Sequence, residues 1–312
     1  MLSPVHRRTL NRGARVRFLR RDKEGVASTV GTIMALLVFL AFMALITNSY
    51  VPAWMLDNER EHMNQVIDQF GQLKGKVDSM IVEQEVRGSG AIKMYAPVTL
   101  GSSGVPLFAT PTIGLMTYVP QGINTSGIRV QFAYDTSGPD VPVDVYGGGK
   151  VDIYVPNRYY VQQWVCYENG AIIVKQEDGQ TVRAFPSLDV EKVGGKINIA
   201  FTQVDLIGLN QSLSGSDSVG LNIDLIYIDA QTYTVGGDGT WKLTMNTTYG
   251  AAWERFFRDT MAKSGLVEGA TGDYTLLNTA LPNGVSRIYL ELKNAGTLVY
   301  NRAYVSMSMQ NN

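Results

Sequence analysis

RRDKEGVASTVGTIMALLVFLAFMALIT, residues 20–47, is the stretch on which the reading of this 312-residue chain turns. Within it, residues 26–47 carry no charge at all. A helix of that length rises about 33 Å at about 1.5 Å per residue, enough for the approximately 30 Å hydrocarbon core of a bilayer. A buried core helix is seldom so long or so uniformly apolar, so the run reads as a membrane span. The basic residues all precede it: Arg7, Arg8, Arg12, Arg15, Arg17, Arg20, Arg21 and Lys23 against Asp22 and Glu24 give residues 1–25 a net +6, leaving −7 for the remainder of a chain whose total is −1. Asp57-Asn58-Glu59-Arg60-Glu61, beyond the span, is mostly acidic. This asymmetry predicts a cytoplasmic arm and a single pass with the C-terminal portion outside the cell. A basic arm in isolation suggests nucleic acid, but joined to an apolar run it reads as a topology signal, and no nucleic-acid partner is expected. A secretory leader has a shorter apolar region ending at a small-residue site, and no Ala-x-Ala stands between Ala41 and Ala53. Arg7-Arg8 lies too far from the run for a twin-arginine signal.

Outward from the span, Asn48, Ser49 and Pro52 are expected to interrupt the helix, since proline removes a backbone donor and kinks or ends a helix. Met63, Val66, Phe70, Leu73, Val77 and Met80 then follow at spacings of three and four, a heptad stripe set among polar residues. Gly71 and Gly75 interrupt it and each costs about 1 kcal/mol relative to Ala, so this helix needs a partner. Two partners suit it: the β-region of its own chain, or sibling helices in a bundle or filament. Arg87-Gly88-Ser89-Gly90 reads as a hinge.

From residue 91 the apolar period becomes two. Residues 128–134, 221–228 and 285–292 alternate as half-buried strands do. Asn169-Gly170 has the residues of a type I′ hairpin turn, and Glu177-Asp178-Gly179-Gln180 and Gly236-Gly237-Asp238-Gly239 offer further tight turns. One helix interrupts the pattern over residues 249–263, capped by Thr247-Thr248, with Trp253, Phe256, Phe257 and Met261 on one face to close a sheet core. The expected class is α+β: a transmembrane and an amphipathic helix followed by a mainly antiparallel β-sandwich with one packed helix. The corresponding domains are a basic leader over 1–25, a transmembrane helix over 26–47, an amphipathic stalk over 48–90 and an extracellular β-domain over 91–312, comprising one large or two small sheet pairs.

The charged leader and the start of the apolar run, Arg20 to Gly25 followed by Val26-Ala27-Ser28-Thr29-Val30-Gly31-Thr32-Ile33, resemble those of archaeal type IV pilin-like proteins, the class that includes archaellins. The resemblance implies a class III signal peptide cut by a prepilin peptidase between Gly25 and Val26, on the cytoplasmic face. Val30 stands where bacterial pilins carry a glutamate; archaeal members commonly lack it. Residues 166–171 and 252–257 are similar to elements of euryarchaeal pilin-like envelope proteins with β-rich ectodomains. The resemblance further implies assembly by a dedicated ATPase and platform protein, and association with further copies or other pilins.

The residue inventory removes most chemistry. A lone cysteine, Cys166, makes no internal disulfide and reads as a buried structural thiol; His6 and His62 both lie outside the β-region, which excludes a Ser-His-Asp triad or histidine-ligated zinc there. Asp205, Asp224, Asp229 and Glu254 read as ordinary strand and helix carboxylates, and Asp135, Asp140, Asp144 and Asp217 lack the spacing of a calcium loop. Gly147-Gly148-Gly149-Lys150 lacks the remaining residues of a phosphate loop and reads as a strand connection. Neither enzyme nor cofactor nor metal is expected. Asn124, Asn210 and Asn246 head sequons that the predicted topology places outside the membrane. The expected function is a structural or minor subunit of a pilus-like surface filament, with a permanently anchored envelope-binding or adhesion module as the alternative from a different class.

Overall fold

The structure, a computed structural model, describes residues 22–88, 90–122, 126–136 and 138–311. Most of the basic leader, Ser89 of the expected hinge and the sequon residue Asn124 lie outside the described residues. The chain divides into two compact units, Met1–Pro52 and Ala53–Asn312.

In the first unit α1 (Asp22–Leu45) is followed by a π-helical turn, Ile46–Tyr50. Together with the residues after it this is a helix long and apolar enough to cross a membrane. Two of its hydroxyls bond back to the helix, Thr32 Oγ1 donating to the Thr29 carbonyl at 2.8 Å and Thr47 Oγ1 to that of Met43 at 2.9 Å, which lets these polar residues sit in an apolar run. The expected interruption takes another form. The proline ring at position 52 crowds the carbonyl four residues back, at Asn48. A π-turn immediately before it widens the backbone there, and helical residues resume as α2 (Val51–Arg87) without a break.

The second unit holds the rest of α2, three sheets and a further helix. The first sheet runs β1 (Ile92–Thr99), β12 (Ser218–Thr234), β16 (Ala295–Asn311), β10 (Lys196–Ile207) and β9 (Leu188–Val193). The second runs β11 (Gln211–Gly215), β2 (Gly114–Pro120), β5 (Gly149–Val155), β6 (Gln163–Glu168), β7 (Ala171–Gln176) and β8 (Gly179–Ala184). The third runs β14 (Tyr274–Ala280), β15 (Ser286–Leu292), β13 (Trp241–Thr247), β3 (Gly127–Tyr134) and β4 (Val141–Gly147). The strand ladders are antiparallel, except that β10 and β16 pair in parallel. Asn169 and Gly170, at φ 47° and 75°, make the tight β6–β7 turn that their sequence favours.

Two apolar cores result, and the long strands serve both. Ile197, Ile199 and Phe201 on one face of β10 enter a core with Trp241, Leu243, Ile288 and Leu290; Val204 and Leu206, on its other face, enter a second core with Val151, Ile153 and Leu221. β16 does the same, with Leu298 and Tyr300 in the first core and Ala303 and Val305 in the second. α3 (Gly250–Lys263) places Trp253, Phe256, Phe257 and Met261 in the first core. Its start differs from expectation: Tyr249 is the N-cap residue and makes no side-chain cap, because Thr247 Oγ1 is turned inward and accepts from the Tyr249 amide. The domain boundary also moves. The stalk expected over 48–90 is not separate from Ala53 onward, since α2 there supplies one wall of the second core.

Candidate functional site

The six stripe residues Met63, Val66, Phe70, Leu73, Val77 and Met80 are all buried, packed with Val98, Tyr118, Val151 and Leu221 of their own chain. Of the two partners open to the stripe, the structure therefore supplies the chain's own strands, and this face is not free to meet a sibling helix. Gly71 and Gly75 face open space, so their cost is borne without a packing role. Polar residues beside the stripe fix the edge strand β1: Gln69 Oε1 accepts from the Thr99 amide at 2.9 Å, and Lys76 Nζ donates to the Tyr95 carbonyl at 2.6 Å. His62 Nε2 lies 3.0 Å from the Thr99 carbonyl, which requires the Nε2–H tautomer as donor, and its Nδ1 is buried without a partner. Burial pushes the imidazole pKa below its ordinary 6.5, against the opposing pull of the Thr99 carbonyl and Glu59, because a proton on Nδ1 would find no acceptor.

Glu59 precedes Met63 by four residues and is in phase with the stripe, a fully buried carboxylate where the pattern calls for an apolar side chain. Its Oε1 accepts from Thr112 Oγ1 and the Arg158 amide, both at 3.0 Å, and its Oε2 from the amides of Tyr159 and Tyr160 at 2.8 and 2.7 Å. One helical carboxylate thus clamps two loops, residues 101–113 and 156–162. The amides of Arg158, Tyr159 and Tyr160, ahead of β6, donate to Glu59 in this way.

Two further buried polar centres tie the sheets together. Glu168 accepts from Ser126 Oγ at 2.9 Å, Thr247 Oγ1 at 2.6 Å and Trp253 Nε1 at 2.8 Å, joining β6 to β13 and α3. Burial raises its pKa, against the lowering effect of those donors and of Lys150. Lys150 Nζ in turn contacts Asp152 at 2.5 Å and Thr248 Oγ1 at 3.2 Å; burial lowers its pKa, and the opposing pull of Asp152 and its neighbours leaves it raised. Burial pushes the Cys166 thiol well up, and it lies in the core as an inert thiol. In the second centre the buried Asp205 binds Arg302 Nε and Nη2 at 3.0 and 2.5 Å, the Gly148 amide at 2.8 Å and Gln203 Nε2 at 2.7 Å. The glycine run is accounted for here: a Cβ on Gly147 would collide with Asp205 and Gln203, and Gly148 turns at φ 102°.

The carboxylates singled out in the sequence do not converge. Asp205 pairs with Arg302, Asp224 with Lys93, Asp144 with Arg129, and Glu254 with Arg258. Among the described residues no three His, Cys, Asp or Glu side chains form a cluster that would hold a metal. Asn210 is exposed before β11, whereas Asn246 is buried in β13 with its Oδ1 accepting from Arg287, so the sequon at 246 is closed in the folded chain. The Gly25–Val26 bond lies in the first turn of α1, and the apolar side chains from Val26 to Phe42 are exposed. Sequence reasoning gave no buried role to Glu59, His62, Glu168 or Arg302. For Glu59 a signal existed in its phase with the stripe; for the others none did, because strand partners far apart in sequence create their environment. Family models, curated proteins and solved structures were each compared with the chain, and none matches.

Proposed function

We propose that this chain is a pilin-like, membrane-inserted surface protein whose N-terminal helix is the element available for assembly into a filament. The observation that supports this reading is the division between its two helical segments. The heptad face of α2 is consumed by its own strands, while residues 26–42 are uncharged, predominantly apolar and exposed on every side. A helix apolar on every side suits surroundings that are apolar on every side, which a bilayer or a bundle of like helices provides. On this reading a prepilin peptidase cuts between Gly25 and Val26, an ATPase and platform protein drive assembly, and residues 53–312 form an extracellular layered β-sandwich closed by α3, without enzymatic activity.

Mass spectrometry of the native N-terminus, combined with shearing of cells, tests the reading. The expected result is a mature chain beginning at Val26 and recovered in the sheared fraction, with Gly25→Leu blocking the cut. An N-terminus at residue 1 or 2, with all protein left in membranes, would refute the filament reading and favour a permanently anchored module.

A further inference from the structure

Two loops of the second unit project apolar side chains that its cores do not use. In the first, Val105 and Ala109 form an antiparallel bridge, and the Phe108 and Ala109 amides donate to the Val105 carbonyl at 3.0 and 2.9 Å. The bridge closes a tip in which Leu107 is held at φ 68° with its side chain 102% exposed, next to an exposed Phe108. A left-handed backbone is unfavourable at a leucine, and an apolar side chain in water recovers none of that cost. The tip is nonetheless built rather than slack: a Cβ on Gly104 would collide with the Ala109 carbonyl, and the Thr112 amide donates to the Ser102 carbonyl. In the second loop Tyr160 packs against the core while Tyr159 and Val161 point outward.

The loops form one surface. Arg158 Nη1 donates to Thr110 Oγ1 at 3.2 Å, Asn58 Nδ2 to the Ser103 carbonyl at 3.2 Å, and Glu59 clamps both. Residues 101–114 and 156–162 contain a single charged side chain, Arg158. Trp54 and Leu56, one turn before Glu59, are exposed as well. The anchor residue Glu59 follows Thr47, the last residue of the apolar run, by twelve positions, a tether of at most about 40 Å even when fully extended at about 3.5 Å per residue. Covalent geometry alone therefore keeps Glu59 within that distance of Thr47.

We propose that this surface seats on lipid: Leu107 and Phe108 enter the boundary between headgroups and acyl chains, Tyr159 and Val161 flank them, and the Arg158 guanidinium meets the phosphates. Aromatic and aliphatic tips beside a lone arginine suit that boundary, where rings find both apolar and wet surroundings. The inference rests on the membrane reading above, so its test separates the two. The full chain would be reconstituted in vesicles of equal parts phosphatidylcholine and phosphatidylglycerol, with an environment-sensitive fluorophore at Leu107→Cys, Phe108→Cys, Val38→Cys or, as an aqueous reference, Leu277→Cys on β14. Cys166 is buried, and the labelled wild type measures its background. The expected result is at least a twofold loss of emission with spin-labelled lipid at 38, 107 and 108, and none at 277. Quenching at 38 with 107 and 108 behaving like 277 would overturn the inference and leave the membrane reading intact. No quenching at 38 would overturn both. Probes at 107 and 108 shielded from lipid quencher and aqueous iodide alike would show a protein cover instead, and would also overturn it.

Discussion

Replacing Phe70 separates the two roles that a heptad stripe can play. Phe70 and Leu73 are 0% exposed and share a core with strands of the first and second sheets. Phe70→Ala removes most of a ring from a packed interior and leaves a void, which costs about 3–5 kcal/mol; Leu73→Ala costs about 2–5 kcal/mol. The two neighbours lie one turn apart and share partners, so their effects will not simply add. Either is a large share of the roughly 5–15 kcal/mol that stabilises a typical domain. Guanidinium unfolding of the full chain in detergent, followed through the buried Trp241 and Trp253, would read the loss as a lower midpoint at unchanged slope. Leu56→Ala, on an exposed part of α2, should stay within about 0.5 kcal/mol. If Phe70→Ala left the unfolding free energy within about 1 kcal/mol of wild type yet abolished sheared fibres, the stripe would be a subunit contact and the packing argument would be wrong.

A chain truncated to begin at Ala91 is expected to expose the core side that α2 covers and to aggregate or bind hydrophobic dye, while one beginning at Ala53 gives a cooperative melt; an equally sharp melt from both would refute this. Arg302→Met leaves Asp205 buried with its guanidinium partner gone and should cost about 3–5 kcal/mol, whereas adding Asp205→Asn, which removes the charge and keeps an Oδ1 acceptor for the Gly148 amide and Gln203, should restore part of that loss in the same unfolding assay. His62 titrates below 6.5 when folded, so the unfolded chain binds more protons between that lowered value and 6.5; its contribution is complete above about pH 6.5 and falls away as pH drops through the folded value. His62→Gln should flatten stability against pH on that acidic side, and an unchanged slope there would count against the assignment.

The parts of the fold legible in the sequence are those whose physics is local. The long apolar helix follows from uninterrupted apolarity, the β3 and β15 segments from alternation, and the β6–β7 turn from Asn169-Gly170, whose residues tolerate positive φ. The α3 face was visible at helical spacing, but the full role of Thr247 was not: its hydroxyl accepts from the nearby Tyr249 amide and also donates to Glu168, a residue 79 positions earlier that sequence proximity does not point to. The same limit governs the stripe. Spacing shows that Phe70 needs a buried environment and is silent on whose atoms provide it, because strands and sibling helices satisfy the same period. Pro52 marks the place of a backbone irregularity, while the choice between an end and a π-turn depends on what the helix gains by continuing into a packed wall.

The two helical segments differ in what they ask of their surroundings, and this bears on the leader. A striped helix such as α2 is satisfied by one partner on one side; a helix apolar on every side is satisfied only by isotropic apolar surroundings. On the proposed function residues 26–47 therefore exchange one such environment for another, lipid for a bundle of equivalent helices. That exchange is nearly neutral for apolar side chains, since lipid tails and leucine side chains are about equally apolar. It is far from neutral for residues 1–25, whose net +6 would have to be drawn away from water into a helix bundle, at several kcal/mol for each unpaired charge. On that proposal, removing the leader at Gly25 is the step that makes the exchange thermodynamically open, and an uncut Gly25→Leu chain should insert in membranes normally while remaining absent from the sheared fraction.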